Sequence, residues 1–153
     1  MRKAIAGTLA ALAFFITSCS RNTEAQTRKD QEAAFRNVFE FEAPTSIIEI
    51  RYADVYQRNL MDSVYAQWIR FSYDEVVFGR LLKDRGFHSR KDGLFYGDLG
   101  GPMLPKWWPE VHESEIALYV HENEQTKKPG ESSFREFLWH DKKSNYVYFH
   151  RRY

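Results

Sequence analysis

Hydrophobic and polar positions change rhythm several times along the chain, and each rhythm marks a segment. Arg2 and Lys3 precede a block from Ala4 to Ile16 that carries no charge and is interrupted only by Gly7 and Thr8. A positive start followed by an apolar core of this length suits an export signal, and the core is too short to cross a bilayer as a helix. From Ser20 to Ala34 the residues turn polar and charged with no apolar period, which predicts a tether. Phe35, Val38 and Phe39 then fall at helical spacing, while Phe39 and Phe41 alternate with Glu40 and Glu42, so helix and strand both stay open until Pro44.

Beyond Pro44 the period is clearer. Ile48, Ile50 and Tyr52 alternate with Glu49 and Arg51, and the run from Val64 to Phe71 favours β-branched and aromatic residues, predicting two neighbouring antiparallel strands. Ser72-Tyr73-Asp74-Glu75 has the form of a capping box, with Phe71 and Val76 placed for a hydrophobic staple. Val77, Phe78, Leu81 and Leu82 make one apolar stripe that ends at Gly86, giving a helix over about residues 73–85. From Phe87 to Glu115 seven Gly and Pro residues break any regular element and predict a long loop, a length that in compact domains often carries function. Ile116, Leu118 and Val120 form a third strand, and Phe134–Trp139 and Tyr146–Tyr153 flank a polar turn as a terminal hairpin. The expectation is an α+β fold, a mostly antiparallel sheet of about five strands with one covering helix. Three parts follow: a signal at 1–18, a tether at 19–34 and a single globular domain at 35–153.

Ile16-Thr17-Ser18-Cys19 closes the export segment with an aliphatic residue, two small residues and a cysteine. This resembles the lipobox of bacterial lipoproteins, a resemblance confined to the first nineteen residues. It implies cleavage before Cys19, a lipid on its thiol and a membrane as partner. Ser20, in place of the Asp that favours retention in the inner membrane, implies the outer membrane facing the periplasm in a Gram-negative host.

Composition narrows the chemistry. Loss of Arg2 and Lys3 reduces 22 basic residues to 20 against 21 acidic, a formal charge of −1, so neither nucleic acid nor an anionic surface has its usual electrostatic attraction. Cys19 is the only cysteine, and once lipidated it leaves no thiol for a disulfide, a nucleophile or a metal. An exported domain of this kind depends on its core, for which ten Phe, nine Tyr and four Trp remain after the signal.

No catalytic constellation stands out. Asp74 and Glu75 sit where acids complement a helix dipole, and no Gly-x-Ser-x-Gly elbow surrounds any serine. His112-Glu113-Ser114-Glu115 and His121-Glu122-Asn123-Glu124 suggest metal ligands, yet adjacent residues on a strand face opposite ways, and neither completes a zinc-binding helix motif. Asp98-Leu99-Gly100-Gly101-Pro102 lacks the lysine of a phosphate loop. No metal and no cofactor are expected. Pro105-Lys106-Trp107-Trp108-Pro109, with Tyr96 upstream, is the candidate binding feature, because flanking prolines would hold two indoles in a fixed pose. A Trp pair also serves as a plug that packs a loop onto an open sheet face, and packing is the commoner use. The expected function is a non-catalytic, membrane-tethered envelope lipoprotein that acts as a binding or assembly module for a protein partner or envelope glycan. The alternatives are a periplasmic inhibitor or immunity-type protein and, third, an envelope hydrolase.

Overall fold

The computed structural model describes residues 19–58, 63–89, 104–109, 117–122 and 134–153. The signal expected at 1–18, the candidate Tyr96 and the tetrapeptide from His112 lie outside them. The chain runs β1 (Cys19–Glu24), α1 (Arg28–Phe39), β2 (Ile50–Arg58), β3 (Ser63–Ser72), α2 (Glu75–Asp84), β4 (His88–Ser89), β5 (Ala117–Glu122), β6 (Arg135–Asp141) and β7 (Tyr146–Arg152). All strands pair antiparallel in one sheet ordered β1-β2-β3-β7-β6-β5-β4. The fold is α+β, with seven strands where about five were expected and two helices where one was.

Two of the additions come from residues 19–34, expected as a tether. β1 adds to the free edge of β2 through backbone pairing from Cys19↔Arg58 to Glu24↔Ala53, which needs no apolar side chains. α1 starts where the Thr27 hydroxyl accepts from the Asp30 amide at 3.2 Å, and the Arg28 guanidinium donates to the Ile47 and Ile48 carbonyls at 2.8 and 2.9 Å. Its polar first half is made of good helix formers, and Phe35, Val38 and Phe39 bury the second half on the sheet. The helical option for Phe35–Phe39 therefore wins, and Glu40 ends the helix in the left-handed region at φ 65°.

The second helix starts differently from the expected capping box. Asp74 is the N-cap, its carboxylate accepting from the Val77 amide at 2.9 Å. Ser72 still belongs to the ladder, donating its amide to the Glu49 carbonyl while its hydroxyl accepts from the Ile48 amide, so it cannot cap. Val76 is 79% exposed and makes no staple with Phe71. Val77 and Leu81 are buried as the stripe predicts, and Gly86 takes a left-handed φ of 66° just past the helix.

Strand alternation splits the core in two. On the helix-bearing face Phe35, Phe39, Ile50, Ile69, Phe71, Val77, Leu81, Leu138, Val147 and Phe149 pack together. Among them Phe39 meets Phe149 edge to face at 5.0 Å. On the opposite face Trp68, Phe137, Trp139 and Tyr148 pack with Leu118 and Val120, and the segment 104–109 lies over them. His150 is buried there, stacked on Trp68 at 3.6 Å with Phe137 on its other side.

One inward position of the helix-bearing face is ionic. Glu136, 1% exposed, accepts from Arg85 at 2.7 Å and from Arg151 at 2.7 Å, and both guanidiniums also reach the Val38 carbonyl at the end of α1. Burial drives the Arg85 pKa down, whereas for Arg151 the Glu136 carboxylate outweighs burial and drives it up. The cluster ties α1, α2, β6 and β7 to one point.

Candidate functional site

The Pro105–Pro109 segment separates its two indoles. Trp108 donates its amide to the Pro105 carbonyl at 2.9 Å, and this turn drives its ring into the sheet face. There the ring is 8% exposed and meets Trp68, Trp139 and Tyr148 edge to face at 4.6, 5.0 and 5.4 Å. Trp108 is thus the plug. Trp107 stays half-buried at the border of that core and lines a groove of about 370 Å³.

The groove exists because β1 is shorter than its neighbour. Pairing with β2 stops at Ala53, the Ala25 amide adds one bond to the Tyr52 carbonyl at 3.1 Å, and the chain then turns away through Thr27 into α1. The start of β2 consequently borders open space between the α1 N-terminus, with Arg28 and Gln31, and Trp107. Ile48 projects into it and is 84% exposed.

A charged cluster adjoins the groove, whose lining includes two of its members, Glu49 and Arg51. Glu49 accepts from Arg51 at 2.9 Å, from Arg70 on β3, and from the Tyr146 hydroxyl on β7 at 2.6 Å. The Arg70 guanidinium lies 4.4 Å from the Tyr146 ring centre and 6.0 Å from that of Trp107. Burial alone would push the Glu49 carboxyl up, but donation from Tyr146, Arg51 and Arg70 holds it below the ordinary carboxylate range. The same hydrogen bond raises the Tyr146 phenol, which must give up its proton beside a carboxylate.

A carboxylate held ionised by three donors is a poor proton carrier, and among the described residues no serine or cysteine lines the groove. Two guanidiniums (Arg28 and Arg51), two carboxylates (Glu24 and Glu49), an indole and an exposed isoleucine instead line a surface with hydrogen-bonding and apolar contact points. Among the described residues no three His, Cys, Asp or Glu side chains converge as a metal site. No helix among them is long and apolar enough to cross a membrane.

Of the expected binding residues, the structure places Trp107 at the groove and Trp108 in the core. Glu49, Arg51, Arg70 and Tyr146 went unforeseen as a set; the sequence shows Glu49 and Arg51 only as polar positions of an alternating strand. In comparison with known proteins, the chain matches no family model, no curated protein and no solved structure.

Proposed function

We propose that the chain is a non-catalytic envelope lipoprotein, held to the membrane by lipid on Cys19, whose groove beside Trp107 binds a protein partner or an envelope glycan. The observation that carries the reading is that Trp107, the exposed Ile48 and the Arg51–Glu49 ion pair line one groove. Aromatic and aliphatic anchors around directional polar groups are what a binding surface needs. The open start of β2 additionally offers backbone groups to an extended ligand.

The test is binding of the acylated protein to solubilised cell-wall glycan fragments and, in parallel, chemical cross-linking in intact envelopes with identification of the partner. Trp107→Ala and Ile48→Ser are the comparison variants. The expected result is one ligand class whose affinity drops about tenfold or more in both variants, the scale of losing an interfacial anchor. Binding unaffected by both substitutions would remove the groove from the function.

A further inference from the structure

Cys19 is the first residue of β1, paired with Arg58, so no chain length separates a lipid on Cys19 from the sheet. The groove lies at the other end of the same strand, beside Glu24, Ala25 and Gln26. At about 3.3 Å per residue, Glu24 is about 17 Å from Cys19 along the strand. The two ends of the sheet therefore differ: one carries the lipid attachment point, the other the groove.

The Cys19 end also carries a row of rings across the helix-bearing face. Tyr56 on β2 is the register partner of Tyr65 on β3. Tyr65 lies 5.5 Å from Tyr153 at the end of β7, Tyr153 5.9 Å from Phe134 ahead of β6, and Phe134 6.0 Å from His121 on β5. Tyr56 and Tyr153 are each 38% exposed. The row runs perpendicular to the strands over five neighbouring positions in the sheet order, about 19 Å at 4.8 Å per strand. Tyrosine combines an apolar ring with a hydroxyl that tolerates water, and it concentrates where hydrocarbon meets headgroups.

We propose that this end of the sheet rests on the bilayer, with Tyr56, Tyr65, Tyr153 and Phe134 as an interfacial belt that stands the domain on its lipid and points the groove away from the membrane. The proposal rests on acylation of Cys19. The lipid alone fixes where the chain is attached but not how the domain is oriented, and an aromatic belt at the same end of the sheet supplies the second contact that sets orientation. A protein surface is the alternative cover for such a row, but the row shares its end of the sheet with the lipid attachment point.

The experiment uses acylated protein reconstituted into phosphatidylethanolamine–phosphatidylglycerol vesicles containing a nitroxide-labelled lipid. Because acylation consumes the only thiol, Tyr153→Cys and Gln26→Cys each accept one environment-sensitive fluorophore. The expected result is quenching at position 153 severalfold greater than at position 26. Equal quenching, or stronger quenching at position 26, overturns the orientation. Intact mass on the same sample separates the two levels: a chain without acyl mass defeats the lipoprotein reading and the orientation with it, whereas an acylated chain quenched equally at both positions defeats the orientation alone.

Discussion

Glu49, which lines the groove, and Tyr146 are 97 residues apart and share a 2.6 Å hydrogen bond. That bond helps hold the carboxyl below the ordinary range against the effect of burial. A carboxyl whose folded pKa lies below its unfolded value adds stability that is complete above the unfolded value and disappears as pH falls through the folded one. The urea midpoint should fall between pH 7 and pH 3. In Tyr146→Phe the folded pKa of Glu49 should rise towards its ordinary value, so that the Glu49 share of the fall shrinks. A carboxyl-detected NMR titration of Glu49 in both proteins checks the shift directly.

Glu136 offers a harsher test of buried charge. Truncation to Ala leaves Arg85 and Arg151 without their shared carboxylate beneath α1. Breaking a buried pair from one side typically costs about 3–5 kcal/mol, so Glu136→Ala should lower the urea unfolding free energy on that scale. Glu136→Gln keeps the shape and a hydrogen-bond acceptor and should lose less. Equal losses in the two variants would show that the charge, which both lack, and not packing sets the cost at this position.

The two neighbouring indoles should respond in opposite ways. Trp108→Ala removes a buried ring from contact with Trp68, Trp139 and Tyr148, and large-to-small changes of this kind cost about 3–5 kcal/mol. Trp107→Ala, at the border of the groove, should cost about 1 kcal/mol or less yet weaken ligand binding. Thermal unfolding of both variants, beside a binding assay, gives the comparison.

The start of α2 distinguishes the two possible caps. Asp74→Ala should destabilise the protein by about 1 kcal/mol, because the Val77 amide loses its acceptor. Glu75→Ala should change little, since Glu75 is exposed and Ser72 is engaged with Ile48. A larger loss at Glu75 than at Asp74, read from urea midpoints, would restore the capping box that the sequence suggests.

Gly86 tests the helix exit. At φ 66° an L side chain is strained even though the nearest contact to an added Cβ, His121 Nδ1, is 3.9 Å away. Gly86→Ala should therefore cost about 1–2 kcal/mol through backbone strain alone, checked by the same unfolding series.

Local periodicity made much of the architecture legible. Alternation in Ile48–Tyr52 and Val64–Phe71, the stripe from Val77 to Leu82, the glycine after α2 and the terminal hairpin all correspond to elements of the fold. Each depends on residues within a few positions of one another, where side-chain spacing and backbone conformation are directly coupled. β1 and the first half of α1 escaped notice because edge pairing uses backbone groups, and because the apolar residues of α1 are confined to its second half.

Other outcomes were decided only in three dimensions. Sequence order does not say that β7 returns to lie beside β3, yet that adjacency aligns Arg70 with Tyr148 and brings Tyr146 within reach of Glu49. The terminal hairpin sets Arg151 and Glu136 side by side in register, but only the tertiary fold brings Arg85, 51 residues before Glu136, to complete the cluster. Trp107 and Trp108 have the same chemistry and adjacent positions, and the turn at Pro105 together with the open face of Trp68 and Trp139 determines which one packs. The amino-acid sequence by itself determined the period of β2, β3 and α2 and of the terminal hairpin strands. Tertiary structure decided which charges and rings meet, because contacts between distant residues depend on strand order, and local spacing carries no information about strand order.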